Sequence, residues 1–213
     1  MIKLNNISKR FDKNSVLKNI NLEIKDGEKV LITGQNGAGK STLLKIILGE
    51  IIPNSGQVFV NNINPFKDRK KALFHISFTP QLPPPLKLNL KDICFYAVKT
   101  TGSEQKKIDS FAKILNFDLE KEFKKPFYKL SGGMKQKFLI ALALARDTEI
   151  LIFDEPTANL DTVSREIFLN LIKEKFSKNT IITISHRIDE VKNITTKIIE
   201  MDLGEICSQK EIE

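Results

Sequence analysis

The feature that most constrains the fold of this chain is a glycine-rich run that joins an apolar segment to a helical pattern. Val30-Leu31-Ile32 is wholly apolar, as in a strand buried on both faces of a sheet. The run that follows matches GxxxxGK[ST] and consists of Gly34-Gln35-Asn36-Gly37-Ala38-Gly39-Lys40-Ser41-Thr42. A helical pattern then covers Lys40 to Leu48. A strand, a glycine loop and a helix in this order predict a phosphate-binding loop in a parallel α/β sheet.

The residues of this loop have separate expected roles. Glycines allow backbone N–H groups to turn inward around phosphate oxygens, and the helix N-terminus adds a partial positive charge. Lys40 is expected to neutralise the β and γ phosphates of a nucleotide, and the Ser41 hydroxyl is expected to ligate Mg²⁺. The loop residues expected to bind the nucleotide are Gly34, Asn36, Gly37, Ala38, Gly39, Lys40, Ser41 and Thr42. The alternative is a glycine-rich entry to a helix that binds no ligand.

Two adjacent carboxylates follow a second apolar run. Ile150-Leu151-Ile152-Phe153 leads directly into Asp154-Glu155. Ligands of open α/β sheets bind beyond the carboxyl ends of the strands, and two carboxylates at a buried strand end are costly without a cation or a catalytic task. Asp154 is therefore expected to hold Mg²⁺, directly or through water, and Glu155 is expected to deprotonate an attacking water. The alternative for either residue is an ordinary acid at a helix N-terminus.

The remaining patterns alternate between strands and helices. Ile181-Ile182-Thr183-Ile184 is a third buried-strand pattern, and the alternation of Ile20, Leu22 and Ile24 with polar residues indicates a half-solvated antiparallel strand. We therefore expect an α/β fold with a mainly parallel P-loop NTPase core, an N-terminal antiparallel β subdomain and a single domain over residues 1–213. Further helical patterns cover Leu90 to Val98, Glu104 to Leu115, Gly133 to Arg146 and Thr162 to Phe176.

One stretch of the chain contains helical patterns without a convincing strand. It extends from about residue 83 to residue 130 and begins with Pro83-Pro84-Pro85, which is expected to form an extended connector. We therefore expect a helical subdomain over about residues 83–146, inserted in the α/β core.

Composition excludes several classes of protein. The chain has 34 Lys and Arg against 26 Asp and Glu, a net charge of +8, but its lysines are scattered and no aromatic residues interleave with a basic cluster, so no nucleic-acid partner is expected. Cys94 and Cys207 are too few for a disulfide framework and lack zinc-ligand spacing. The longest apolar run, Phe138 to Ala145, is far short of the roughly 18 residues of a membrane span, and the start lacks the apolar stretch of a signal peptide. The small number of cysteines and the lack of a disulfide framework fit the reducing cytoplasm.

The segment Leu130-Ser131-Gly132-Gly133-Met134-Lys135-Gln136 resembles the LSGGQ signature of the ATP-binding cassette (ABC) ATPases. The resemblance implies the ABC ATPase fold, binding and hydrolysis of ATP with Mg²⁺, and a head-to-tail dimer in which each chain holds half of each active site. Other elements of that family occur in the family's order along the whole chain, namely Phe11, the phosphate loop, Gln81, the signature, Asp154-Glu155, Ala158-Asn159-Leu160-Asp161 and His186.

The resemblance assigns roles to three separate side chains. Phe11 would stack on the adenine, in place of the usual tyrosine. Gln81 would touch Mg²⁺ or the attacking water, and His186 would contact the γ phosphate. Taken singly, each residue is also consistent with an ordinary core or surface position. Asp12 stands where a glycine is usual, and Pro83-Pro84-Pro85 follows Gln81 in the region that receives a membrane subunit in relatives.

The signature and the segment after Glu155 would meet a second subunit. Ser131, Gly132 and Gly133 would cap the ATP held by the other subunit, with the N-terminus of the following helix directed at the γ phosphate. Ser131 alone is equally consistent with a simple helix N-cap. Asp161 would lie at the contact between the two subunits. Met134-Lys135 departs from the usual glutamine and leaves the serine and glycine contacts intact.

The resemblance implies the ATP-hydrolysing subunit of a membrane transporter, which pairs as two copies with separate integral membrane permease subunits. The chain contains no second cassette, which disfavours the tandem ribosome-associated ATPases of the family. Lys40 and Leu130 are too close in sequence to enclose the coiled-coil arm of the chromosome-maintenance ATPases. Few residues follow the strand pattern from Lys197 to Met201, which favours a simple exporter-type system. The expected location is the cytoplasmic face of the membrane, reached through the partner subunits. The alternative is a soluble ABC ATPase of an assembly or cell-division complex that transports nothing.

Overall fold

The structure, a computed structural model, describes residues 1–212 and divides into two compact units. Unit one comprises Met1–Ile76 and the chain from Lys178 onward, and unit two comprises Ser77–Ser177. Over the described part of the chain, no helix combines the length and the apolar character needed to cross a membrane.

The first sheet of unit one is antiparallel. It consists of β1 (Ile2–Phe11), β2 (Asn14–Ile24) and β4 (Ser55–Val60), with β1 in the centre. Along β2, Leu22 is buried and Glu23 is exposed, because successive side chains of a strand point to opposite faces. The alternation in the sequence therefore predicted this half-solvated strand correctly.

The second sheet of unit one is mainly parallel. Its central strand β3 (Lys29–Gly34) pairs in parallel with β7 (Thr180–Ile184) on one side and with β8 (Lys197–Asp202) on the other. The last strand, β9 (Glu205–Glu211), is antiparallel to β8. All five residues of β7 are buried, which explains why this strand is rich in isoleucine and does not alternate between apolar and charged residues.

Three α-helices lie among the described residues of unit one. They are α1 (Lys40–Ile47), α2 (Arg69–Phe74) and α8 (Ile188–Val191). The apolar side chains of α1, such as Leu43 and Ile47, are fully buried. Burial of this face anchors the helix whose N-terminus ends the phosphate loop.

Unit two carries the other five α-helices of the described residues. Its strands β5 (Ile76–Thr79, of which Ile76 belongs to unit one) and β6 (Ile150–Asp154) lie side by side. The residues from 80 to 88, which include the three prolines, form no helix or strand. The helices of this unit are α3 (Leu90–Thr101), α4 (Gln105–Ile114), α5 (Leu119–Glu122), α6 (Gly132–Leu144) and α7 (Thr162–Lys175), with a 3-10 turn at Phe127–Lys129.

Aromatic side chains fill the core of unit two. The ring of Phe138, on α6, lies 6.0 Å from that of Phe127 and 6.3 Å from that of Phe117, measured between centroids. Phe153 of β6 meets Phe168 of α7 edge to face at 5.2 Å. These contacts hold α6 and α7 by their buried faces and leave the N-termini of both helices to carry polar residues.

The expected fold class is confirmed, and the five expected helices are present with end points shifted by up to three residues. The largest shift is in α3, which continues from Val98 to Thr101. It ends there because Gly102 adopts the left-handed conformation that terminates helices, with φ of +74°. Strands β4 and β9 were not predicted: β4 has only a three-residue apolar run, Val58 to Val60, after three polar or glycine residues, and β9 has neither an apolar run nor a clean alternation.

Candidate functional site

The phosphate loop connects β3 to α1 through glycines with positive φ. Gly34, Gly37 and Gly39 have φ of +141°, +86° and +101°, values that side-chain-bearing residues rarely adopt. Gly39 occupies the N-cap position of α1, and no side chain caps the helix there. Backbone N–H groups at a helix N-terminus are the groups that bind anions in loops of this kind.

Lys40 places a cation within this loop. Its ammonium group donates hydrogen bonds to the carbonyl oxygens of Gly34 at 2.7 Å and Gln35 at 2.8 Å, and the residue is only 7% exposed. The first turn of α1 contains no acidic residue. The partial positive charge of a helix N-terminus and the Lys40 ammonium are both groups that can attract an anion to this loop.

Two further predicted residues belong to unit one. His186 is exposed just beyond β7, and together with Gly34 and Gln35 it lines a cavity of about 610 Å³, so it lies beside the start of the phosphate loop. Phe11 ends β1 and is 43% exposed, with the Lys9 ammonium 4.9 Å from its ring centroid. An exposed ring face of this kind can accept a stacked base.

The remaining predicted residues belong to unit two. Asp154 ends the fully buried strand β6, and Glu155 follows it; they are 9% and 6% exposed. Glu155 has φ of +49°, a backbone strain that costs about 1–3 kcal/mol in a residue other than glycine and that often marks a functional position. Gln81 is exposed two residues after β5. The described residues contain no group of three or more His, Cys, Asp or Glu side chains placed to hold a metal ion.

The signature segment forms the start of α6. Ser131 is the N-cap, and its hydroxyl accepts a hydrogen bond from the Met134 backbone N–H at 3.3 Å. Ser131 and Gly132 are exposed, and the first turn of α6 contains no acidic residue. A Cβ atom on Gly133 would lie 2.9 Å from the carbonyl oxygen of Asn159, so the signature packs closely against the segment that precedes α7.

Asp161 is the N-cap of α7 and also binds α6. Its carboxylate accepts hydrogen bonds from the Ser164 backbone N–H at 2.8 Å and from the Ser164 hydroxyl at 2.9 Å. The Lys137 ammonium lies 3.1 Å from the same carboxylate. The hydrogen bonds from Ser164, followed by the one from Lys137, lower the pKa of Asp161 from 3.8 to about 2. Asp161 is thus ionised and fixed to the signature helix.

Sequence reasoning missed Lys137. The residue lies one helical turn after Gly133 on α6, and its side chain is only 12% exposed. Spacing alone offered a weak signal, since residues four positions apart share a helix face. The ion pair with Asp161 requires α6 and the start of α7 to be adjacent, which no local pattern in the sequence indicates.

The chain matches the family model described as ABC transporter over residues 17–158. It is 36% identical over 202 residues to an energy-coupling factor transporter ATP-binding protein of Mycoplasmopsis synoviae, an alignment that covers 89% of this chain and 75% of the relative. It is 33% identical over 214 residues to a zinc import ATP-binding protein of Buchnera aphidicola, covering 97% of this chain and 83% of the relative.

Solved structures extend this similarity to the fold. A dimeric bacterial ABC transporter cassette superposes with a TM-score of 0.87 and 29% identity, covering 100% of this chain and 99% of the other. A dimeric post-hydrolysis state of an ATP-binding cassette, bound to ADP and phosphate, superposes with a TM-score of 0.85 and 28% identity, again covering 100% and 99%.

Proposed function

Since the chain belongs to the ABC transporter family and is an ATP-binding, ATP-hydrolysing subunit of such a transporter, we propose that it powers substrate movement through separate integral membrane subunits. The observation that carries this proposal is the phosphate loop, with the Lys40 ammonium held on the loop carbonyl oxygens beside the N-terminus of α1. ATP supplies the anion that such a loop requires.

The residues of the phosphate site have distinct proposed tasks. Lys40 compensates the charge of the β and γ phosphates, and the N–H groups from Gly37 to Thr42 bind their oxygens. His186 contacts the γ phosphate, which its place beside Gly34 and Gln35 supports. Phe11 stacks on the adenine through its exposed ring.

The residues proposed for magnesium carry oxygen donors that suit this ion. Ser41 and Asp154 would hold Mg²⁺ and Gln81 would touch it, because hydroxyl, carboxylate and amide oxygens are the hard ligands this ion prefers. Phosphate oxygens of the nucleotide would complete the ligand set, since Mg²⁺ is usually bound by one or two carboxylates together with substrate phosphates. When bound, Mg²⁺ would neutralise charge that develops on the phosphates.

Glu155 is the proposed general base. Its strained backbone at the end of β6 fixes the start of its side chain, and its burial keeps the carboxylate from being fully solvated. A carboxylate in this setting orients the attacking water and accepts its proton. Gln81 is the second residue proposed to contact that water.

The signature is proposed to act on a second copy of the chain. Ser131, Gly132 and Gly133 lie at the N-terminus of α6, where Ser131 and Gly132 are exposed, so they can cap the ATP of the partner in a head-to-tail dimer. Asp161 would stand at the same contact. Support comes from the dimeric state of the similar cassette.

The expected simple exporter-type system finds no support in these relatives. The two relatives described above are named for energy-coupling factor transport and for zinc import, and neither name refers to export. No observation favours the alternative of an assembly or cell-division ATPase. We place the protein at the cytoplasmic face of the membrane, held there by its permease subunits.

The test of the catalytic proposal is the Glu155→Gln variant. A general base contributes about 10²–10⁴-fold to rate, so phosphate release should fall by about that factor while ATP binding is retained. The ATP-bound variant should also elute as a dimer in size-exclusion chromatography. Glu166→Gln, which changes an exposed carboxylate on α7, is the matched control and should keep normal turnover.

Hydrolysis by Glu155→Gln at the rate of the unchanged protein would contradict the catalytic proposal, because it would remove Glu155 from the mechanism.

Affinity purification from detergent-extracted cells tests the transport role separately. A stoichiometric protein with several membrane spans should accompany the chain, and exclusively water-soluble partners would instead support the assembly-ATPase alternative.

A further inference from the structure

The β8–β9 turn, defined as residues 202–205, contacts the phosphate loop of unit one. Asp202 pairs with Glu205, so Leu203 and Gly204 form the tip, with φ of +45° and +84°. Two consecutive residues with positive φ are typical of tight turns between antiparallel strands. The Gly204 backbone N–H donates a hydrogen bond to the carbonyl oxygen of Ala38 at 3.2 Å. The turn is thus bonded to the end of the loop that leads into α1.

Strand β2 contacts both the turn and the loop. The Lys18 backbone N–H donates to the Gly204 carbonyl oxygen at 2.8 Å. The Val16 carbonyl oxygen would lie 2.4 Å from a Cβ atom on Gly204 and 2.8 Å from a Cβ atom on Gly39. Gly204 and Gly39 therefore pack on the same backbone group, which cannot rotate away as a side chain could.

The other end of the loop contacts β8 itself. Gly34 pairs with Met201, and a Cβ atom on Gly34 would lie 2.0 Å from the Met201 carbonyl oxygen. Met201 directly precedes the turn. The end of β8 and the turn therefore hold both ends of the phosphate loop through backbone contacts.

We propose that the β8–β9 turn positions the phosphate loop for nucleotide binding and that Gly204 is the positioning residue. Groups that already point at a ligand lose little conformational entropy when it binds, so affinity depends on whatever fixes them. A side chain at position 204 would push the turn off Val16 and would disturb the loop through Ala38 and Gly39. This inference rests on the binding of ATP at the phosphate loop.

The test compares Gly204→Ala with Gly102→Ala. Gly102 has a similar φ of +74°, but nothing lies within 4 Å of its Cβ position. Both variants carry the strain of alanine in a left-handed conformation, and only Gly204→Ala adds a clash with β2. We expect the Kd for ATP, measured by titration calorimetry, to rise at least tenfold in Gly204→Ala and to stay within twofold in Gly102→Ala.

Steady-state hydrolysis separates positioning from general destabilisation. A positioning defect should raise KM for ATP while kcat at saturation stays within about twofold, because the catalytic groups remain in place once the nucleotide binds. A purely structural defect would reduce the folded fraction and would lower kcat at unchanged KM. An equal Kd in the two glycine variants, or a fall in kcat alone, would overturn the proposal.

Hydrogen exchange on the unchanged protein gives a second test of the proposal. It is decisive in the case where Gly204→Ala does not fold. Saturating ATP should slow exchange of the Gly204 and Lys18 amides if the turn and the loop act together, and unaltered exchange would overturn the proposal. Absence of ATP binding by the unchanged protein would refute the proposed function itself and is thus distinguishable from a failure of this inference.

Discussion

Gly132 and Gly133 are neighbours in the first turn of α6, yet alanine should affect the stability of the protein differently at the two positions. At Gly132 a Cβ atom would meet the Asn159 side chain at 3.7 Å, an ordinary contact. At Gly133 it would lie 2.9 Å from the Asn159 carbonyl oxygen, a backbone atom that must move. Both substitutions replace a glycine in the first turn of the same helix, so any gain from helix propensity is similar at the two positions and at most about 0.5–1 kcal/mol.

The clash at Gly133 sets the expected difference between the two variants. Forcing extra atoms into a well-packed position costs about 1–3 kcal/mol. Because the helix-propensity gain is common to both variants, Gly133→Ala should be less stable than Gly132→Ala by about 1–3 kcal/mol. For a chain of this size the corresponding difference in Tm is about 2–12 °C.

Thermal unfolding of the nucleotide-free variants, followed by circular dichroism, measures this difference, and urea unfolding at 25 °C checks it independently. Gly132→Ala is the matched control, since it has the same chemistry one residue away. A Gly133→Ala variant as stable as Gly132→Ala would refute the inference that the signature packs tightly on the Asn159 backbone. Loss of turnover is expected in both variants if the signature caps the partner's ATP, so stability and activity should separate in Gly132→Ala.

Two further predictions concern charged groups. The folded-state pKa of Asp161, about 2, lies below its ordinary value of 3.8, so the ionised group stabilises the folded protein above about pH 4 and loses that contribution as the pH falls towards 2. The Tm advantage of the unchanged protein over Asp161→Asn should therefore shrink between pH 4 and pH 2, and a constant gap would contradict the assignment. Replacing Lys40 with alanine should raise the Kd for ATP at least tenfold, because the phosphate charge would then go uncompensated in the loop. Lys45→Ala, an exposed change on the same helix, should leave the Kd within twofold, and equal affinities in the two lysine variants would rule out Lys40 as a phosphate ligand.

Local sequence determines the strand–loop–helix unit around the phosphate site. Gly34, Gly37 and Gly39 adopt conformations that other residues rarely reach, so their positions in the sequence predict the course of the loop. The apolar run before Asp154 likewise predicts a buried strand that ends in two carboxylates. Periodicity also indicated helices such as α7, which buries Phe168, Leu171 and Ile172 on one face, whereas α6 is apolar on all sides and was indicated by its long apolar run.

Helix ends and edge strands were less predictable from the sequence. The predicted end of α3 at Val98 was three residues short, although Gly102 is of the residue type that commonly ends helices. Strand β9 has mostly exposed side chains and is held by its backbone pairing with β8, and such pairing leaves no hydrophobic pattern to detect. These elements form because a neighbouring strand or a cap is already present in the folded unit.

The sequence alone thus determined which residues form the phosphate loop, the carboxylate pair and the signature, since those depend on local conformation and on residue type. Only the tertiary structure decided which distant backbone and charged groups hold these segments. Met201 and Gly204 contact the loop, and Lys137 binds Asp161, because strands and helices that are remote in the chain become neighbours. Such contacts follow from sheet register and helix packing, which the whole fold fixes cooperatively and no short pattern encodes.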